Sequence, residues 1–244
     1  MKGLQLYTIR KLTTDDVACE KAIAQVAKTG YECVQLAGSK ETMGRCAAAC
    51  KKIGLPIMGI LADLKLYAEA GDALFDFARD CGVSDIGISS SARTEEQAKE
   101  LIRDANRYAA VVRANGFSFS YHNHSHEFIR TACGKTVMEL LLEGFDPDLV
   151  DLMPDTYWLQ HGGADVRAFL EAHRGRVKIL HLKDMKRVEE GPTFAELGVG
   201  NLNLEGIIAT AKACGVEHFI VEQDKCDGNP LVSAEISHRF LSRF

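Results

Sequence analysis

The stretch Ala27-Lys28-Thr29-Gly30-Tyr31-Glu32-Cys33-Val34-Gln35-Leu36 holds a helix end, a stop and the start of a strand in direct succession. Glycine after a helix-like run supplies the left-handed backbone that ends a helix. The apolar run that follows is of the kind a buried parallel strand requires. The same sequence pattern recurs at Gly54 (KKIG-LPIMGI, 51–60), Gly82 (RDCG-VSDIGI, 79–88), Gly116 (RANG-FSFSYH, 113–122), Gly175 (AHRG-RVKILHL, 172–182) and Gly215 (KACG-VEHFIVE, 212–222). Two further runs, GLQLYTI (3–9) and DLVDLM (148–153), lack the glycine and bring the candidate strands to eight.

Helix-length segments lie between the strands. Their start signals include Thr13-Thr14-Asp15-Asp16, the box Thr94-Glu95-Glu96-Gln97, and Asp165 ahead of VRAFLEAH. Strands alternating with helices build a parallel sheet. Eight such units in 244 residues match an α/β fold of the (β/α)8 TIM barrel type. A doubly wound open sheet would carry a glycine-rich phosphate loop after its first strand. Tyr7-Thr8-Ile9-Arg10 stands there instead. No Pro/Ser/Gly linker or charge block divides the chain, so residues 1–244 are read as a single domain. The longest irregular stretch, Val188 to Asn203, falls between the seventh and eighth strands and is expected to be an active-site loop.

Composition narrows the function. With 46% hydrophobic and 26% charged residues, the chain carries enough apolar surface to fold, which excludes a disordered polypeptide. No apolar run approaches the ~18–20 residues needed to span a bilayer. A formal charge of −5 without a basic run argues against nucleic acid as a partner. Strand-like sequence begins at once from Met1, with no signal-peptide core, so a cytoplasmic location is expected. The eight cysteines show no CxxC or Cys/His zinc spacing and are expected to be free, mostly buried thiols.

In (β/α)8 barrels the chemistry sits at the C-terminal ends of the strands. Polar residues collect there in the second half of the chain. The fifth strand ends in His122-Asn123-His124, the sixth in Pro154-Asp155, the seventh in His181-Leu182-Lys183 and the eighth in Glu222. Strand alternation puts His122 and His124 on one face, and His181 and Lys183 on another shared face. Four successive strands thus each offer a metal-capable group: His122, Asp155, His181 and Glu222. Two imidazoles and two carboxylates suit one divalent ion such as Mn2+, Zn2+, Co2+ or Fe2+, with Mg2+ as a harder choice. Any one of these histidines alone would more commonly be a hydrogen-bonded structural residue; the set of four carries the reading. His126 is expected in the loop, and Trp158 is read as a pocket wall.

These strings resemble the sugar isomerase/epimerase superfamily of xylose isomerase-like TIM barrels over nearly the whole chain. YHNHSHEF (121–128) matches the fifth-strand signature yHNHxxEF of one branch, DTYW (155–158) its sixth, HLKDM (181–185) its seventh and VEQD (221–224) its eighth. The resemblance implies a single divalent ion held by Glu, Asp, His and Glu from strands five to eight. Asp155, His181 and Glu222 match three of these, and His122 stands in the slot of the first Glu. It also implies that His124, Lys183 and Arg187 contact substrate oxygens or a phosphate, and that the chain forms a homo-oligomer, as relatives often do. Three departures stand out. Only one of the two Glu of the family's epimerases remains. Gln35 stands where relatives often have Glu. Ile60-Leu61-Ala62-Asp63 occupies a strand end where relatives often carry His.

The implied reaction is isomerisation or epimerisation of a sugar, keto-sugar or polyol through a metal-stabilised enediolate. Glu222 is the expected base, with His124 or Lys183 handling the second proton. A lysine beside a metal is expected to have a lowered pKa. The same half-reaction serves a dehydratase or lyase acting on a keto-sugar or 3-keto-glycoside. A sugar-binding barrel without catalysis is a further alternative. A DNA-repair enzyme of the endonuclease IV type is disfavoured by Gln35, Ala62 and the net charge.

Overall fold

The computed structural model describes residues 1–244. In chain order the strands are β1 (Lys2–Gln5), β2 (Cys33–Ala37), β3 (Ile57–Ala62), β4 (Asp85–Ile88), β5 (Ser120–His122), β6 (Asp151–Met153), β7 (Ile179–Leu182), β8 (Asp184–Val188), β9 (Gly191–Ala195) and β10 (His218–Val221). The helices are α1 (Asp16–Thr29), α2 (Lys40–Ile53), α3 (Leu64–Ala70), α4 (Asp72–Cys81), α5 (Glu95–Ala114), α6 (Val137–Gly144), α7 (Thr156–His161), α8 (Val166–Ala172), α9 (Leu204–Ala213) and α10 (Pro230–Leu241).

Eight strands pair in parallel in the order β6-β5-β4-β3-β2-β1-β10-β7. The ends of this sheet meet: Leu152 bridges to Val177 and Asp155 to His181. The His181 amide donates to the Pro154 carbonyl at 2.9 Å, and the Leu152 amide to the Arg176 carbonyl at 2.8 Å. The barrel is closed, as the eight-unit reading expects. All six glycine stops, Gly30, Gly54, Gly82, Gly116, Gly175 and Gly215, have positive φ. At Gly54 (φ 78) the amide returns to the Cys50 carbonyl and closes α2. The start signals act as read: Asp15, Thr94 and Asp165 cap α1, α5 and α8 through their side chains.

Strand alternation divides the core. Leu4, Val34, Leu36, Ile60, Ile86, Ile88, Leu180, Leu182 and Val221 point outward and are buried under the helices. Cys33, Met58, Leu61, Met153, Ile179 and Ile220 face inward and form a smaller apolar plug inside the barrel. Polar inward residues stand above this plug, at the strand tips.

Two expectations need correction. The first strand stops at Gln5, and Leu6–Leu12 wind into a 3-10 helix rather than extending to Ile9. The stretch 188–203 is not wholly irregular: Gly191–Ala195 is β9, paired antiparallel with β8 in a hairpin outside the barrel. Its Pro192 and glycines, which read as loop, are tolerated because a two-stranded ribbon consists of edges. The eight cysteines are free, as expected, and five of them are buried. No helix is long and apolar enough to cross a membrane.

Candidate metal centre

Alternation along four strands sends one side chain from each into the barrel mouth. On β5, Tyr121 faces outward and His122 inward; on β7, Leu180 and Leu182 face outward and His181 inward. Asp155 follows β6 and opens α7, where its Oδ1 accepts the Trp158 amide at 3.0 Å. Its second oxygen is left for the barrel interior. Glu222 ends β10. His122, Asp155, His181 and Glu222 are all buried, and one ligand atom from each lies within 4.8 Å of the others. The four candidate ligands are therefore brought together.

The surrounding motif residues hold this geometry. Asn123 Oδ1 accepts the Asp155 amide at 3.2 Å. The hydroxyl of Thr156 donates to the Lys183 carbonyl at 2.8 Å and accepts the Lys183 amide at 2.9 Å. Glu127 accepts the Tyr121 hydroxyl at 2.9 Å and the His124 amide at 3.0 Å, which fixes the turn carrying His124. His126 lies in this turn, as expected, stacked on His124 at 5.5 Å between ring centroids.

Lys183 departs most from expectation. Its Nζ lies 2.9 Å from Asp155 Oδ2, 3.1 Å from Glu222 Oε2 and 3.0 Å from Asp224 Oδ2, with the residue only 1% exposed. Burial by itself lowers its pKa, but Asp155, Glu222 and Asp224 outweigh burial and hold the ammonium well above the usual lysine range. The expected lowering is thus reversed, because the lysine pairs directly with carboxylates rather than facing only a cation. Burial pushes Glu222 upward, yet Lys183 and His181 prevail and hold it well below the usual carboxylate range. Burial raises Asp155 to about 6, which leaves it ionised at neutral pH. Burial, aided by His181 and His124, lowers His122 far below the usual histidine range, and His124 falls to about 4 mainly through burial. Both imidazoles are neutral at pH 7 and retain a lone pair.

Two observations fit a divalent cation to this donor set. His122 Nδ1 is buried without a hydrogen-bond partner. The buried carboxylates of Asp155 and Glu222 and the partly exposed one of Asp224 face a single ammonium, an excess of negative charge at the barrel mouth. Unbalanced buried charge is costly, and a divalent ion would balance it. Neutral imidazoles with carboxylates are the donors that borderline ions prefer.

His122 and Glu222 of the cluster reach the wall of a cavity of about 800 Å3. His124, Trp158, Lys183 and Asp224 line it, with Phe194 from the hairpin and Tyr7 from the 3-10 helix after β1. Trp158 is a wall residue, as expected, and Phe194 stacks on Tyr157 at 4.4 Å behind it. Arg187 is placed differently from expectation. It is exposed on β8, its amide donating to Asn201 Oδ1 at 2.8 Å, and it does not line the cavity. The hairpin carries it away from the mouth.

Sequence reasoning missed Asp224, Phe194 and Gln5. Asp224 lies two residues after Glu222, a same-face signal that was readable. Phe194 sits on a hairpin whose docking is a long-range contact. Gln5 and Gln35 sit within runs read as apolar strands, yet both are fully buried and linked to His181: Gln5 Nε2 donates to Gln35 Oε1 at 2.7 Å, and Gln35 Oε1 lies 2.8 Å from His181 Nε2.

A closed parallel barrel carrying a buried His/Asp/His/Glu cluster at its C-terminal mouth is a TIM barrel with a candidate metal centre. The family model described as "Xylose isomerase-like TIM barrel" matches residues 23–243, and the chain belongs to that family. It is 30% identical over 168 residues to an inosose dehydratase of Lactiplantibacillus plantarum, a match covering 62% of this chain and 55% of the relative. The matched stretch therefore spans about half of that relative's length. A sugar phosphate isomerase/epimerase from Parabacteroides distasonis is 25% identical, with a TM-score of 0.81 over 98% of this chain and 93% of that one. The fold is shared with the IOLI protein, solved with a bound zinc atom, at a TM-score of 0.74 and 11% identity over 99% of this chain and 96% of that one.

Proposed function

We propose that the chain is a divalent-metal-dependent dehydratase acting on an uncharged keto-sugar or keto-polyol. The observation that carries this reading is the pairing, at one cavity wall, of a lysine kept cationic by three carboxylates with a neutral histidine, His124. Dehydration next to a carbonyl needs one group to take a proton from carbon and another to give a proton to the departing hydroxyl. His124 takes the proton from the carbon beside the carbonyl. The electrons of that C–H bond form the new double bond, the C–O bond of the neighbouring carbon breaks, and Lys183 gives the leaving oxygen its proton. Water departs, so atoms and charge balance once the two side chains re-equilibrate. Ionised Glu222 belongs with His122, Asp155 and His181 as a ligand and secondarily orients Lys183. A divalent ion held by these four residues supplies a Lewis acid for the negative charge that develops on a substrate oxygen.

The name of the inosose dehydratase relative supports this reading over isomerisation or epimerisation. So does the loss of one of the two carboxylates that an epimerase places on opposite sides of its substrate: His122 stands in that position. A phosphorylated substrate fits poorly, because Lys183 is the only lysine or arginine lining the cavity and is already paired, while Asp63, Glu222 and Asp224 add negative charge. Trp158 and Phe194 offer apolar faces on which a ring's C–H bonds would pack.

The test is incubation of metal-loaded protein with inosose and a panel of keto-sugars and 3-keto-glycosides in heavy water, followed by mass spectrometry and NMR. Loss of one water, with solvent exchange at the carbon beside the carbonyl, is expected. An epimer formed without loss of water would return the site to the isomerase/epimerase reading. Binding without any exchange would make it a sugar-binding barrel.

A further inference from the structure

We propose that Gln35, itself oriented by Gln5, is a positioning residue that fixes His181 with its proton on Nε2, so that Nδ1 is the nitrogen offered to a metal. The inference rests on the metal-centre reading and adds a role for two residues inside β1 and β2. A backbone amide can only donate, and the Tyr7 amide lies 3.2 Å from one end of the Gln5 side chain, which must be Oε1. The other end, Nε2, then points at Gln35 across 2.7 Å, so Gln35 must present its oxygen. Reversing the Gln35 amide would set two NH2 groups against each other and turn its oxygen toward Met153 Sδ, which now receives Nε2 at 3.4 Å. Both observations give the same orientation. The same Gln35 oxygen is 2.8 Å from His181 Nε2, and an oxygen without a hydrogen can only accept. Nε2 therefore carries the hydrogen.

With Nε2 committed to Gln35, Nδ1 is the ring nitrogen left to bond a metal, giving up any hydrogen it shares with Glu222. That nitrogen faces the cluster, 2.9 Å from Glu222 Oε2. Without the glutamine chain, the ring would satisfy Glu222 by donating from Nδ1, and two ligands would close on each other. With the chain, one hydrogen is held on Nε2 and Nδ1 stays the nitrogen that a cation at the cluster can displace a proton from. Gln5, Gln35 and His181 are each fully buried, so no water replaces a lost partner. Outer hydrogen bonds of this kind commonly set metal affinity by about 10–100-fold.

The experiment compares the parent with Gln35→Met, which removes the acceptor at similar size, and Gln35→Glu, which retains it. Zn2+ affinity is measured by competition with a chromophoric chelator, and the His181 tautomer in metal-free protein by long-range 1H–15N correlation. Gln35→Met is expected to weaken Zn2+ binding by about 10–100-fold and to move the proton to Nδ1, with Gln35→Glu remaining near the parent. Parent-like affinity and tautomer in Gln35→Met would overturn the inference. A parent that binds no Zn2+ yet keeps the Nε2 proton would overturn the metal centre and leave the positioning role standing. Should Gln35→Met not fold, Gln5→Met, which frees the Gln35 amide to reverse, is expected to shift affinity and tautomer in the same direction; no shift would overturn the proposal.

Discussion

With its ammonium within 3.1 Å of three carboxylates, Lys183 cancels one of three negative charges and stands beside the substrate cavity. Lys183→Met should lower turnover by about 10² to 10⁴, the usual contribution of a positioned proton donor. It should also lower the thermal stability of the metal-free protein, since the buried carboxylates of Asp155 and Glu222 and the partly exposed one of Asp224 lose their partner, and leave Zn2+ binding at least as tight as in the parent. Turnover assays, calorimetry and chelator competition read these three effects separately. Deeper in the barrel, Asp85 is buried, with Ser120 donating to Oδ1 at 2.7 Å and Ser118 to Oδ2 at 2.9 Å. Burial raises its pKa to about 7 despite both hydroxyls. A carboxyl raised in the folded state contributes stability that is fully present below its unfolded value of about 3.9 and is lost as pH climbs through the folded value. Between pH 4 and 7 the folded chain holds a proton that the unfolded chain has released, so stability falls with rising pH. Asp85→Asn should remove that loss: the difference between variant and parent in unfolding free energy from denaturant titrations should grow in the variant's favour from pH 5 to pH 8, by a few kcal/mol at most. A pH-independent difference would show that Asp85 is not the group involved.

At the scale of elements, the β8–β9 hairpin brings Phe194 to the cavity, and Asp184 anchors it. The Asp184 carboxylate accepts the amides of Met185, Gly198, Gly200 and Leu202 at 2.8–3.2 Å. Gly200 is close enough that an added Cβ would collide with the Met185 carbonyl and the Asp184 carboxylate. Removing a buried acceptor that serves several donors costs about 3 kcal/mol. Asp184→Ala should therefore lower the melting temperature and open residues 184–203 to protease, while Asp184→Asn, which keeps one acceptor oxygen, should lose less. Unchanged protease resistance in Asp184→Ala would place the anchor elsewhere. The hairpin shows where sequence reading stops. HLKDM signalled a strand tip, and Gly191-Pro192 with Gly198 signalled turns, but the knot between Asp184 and amides fourteen to eighteen residues later is a contact no local pattern encodes. Strand-end residues were legible because period-two alternation fixes a side chain's face once the strand is located; this is how His122, Asp155, His181 and Glu222 emerged. Arg187 came from the resemblance alone, and the hairpin on which the chain leaves the barrel carries it away from the cavity.

At the scale of the molecule, six glycine stops and eight apolar runs were enough to write the barrel, since each marks a local backbone event. The closure of β6 onto β7, the glutamine chain from β1 through β2 to β7, and the reversed pKa of Lys183 were not legible, because each depends on residues that only the closed barrel brings together. The four candidate ligands come from both sides of that closure, so a bound ion ties β5 and β6 to β7 and β10. An ion that binds only the folded chain at 100 times its Kd adds about 2.7 kcal/mol, or roughly 5–10 °C for a domain of this size. Chelation should lower the melting temperature by that order, and Zn2+ or Mn2+ should restore it. The same chelation of a His122→Ala, Asp155→Ala double variant should have little effect.

The most direct measurement is anomalous diffraction at the metal edge from crystals grown with Zn2+ or Mn2+. A single strong peak at about 2.0–2.3 Å from His122, Asp155, His181 and Glu222, with His181 bonded through Nδ1, is the expected result. No peak at the barrel mouth, or one bonded to a different set of side chains, would contradict it.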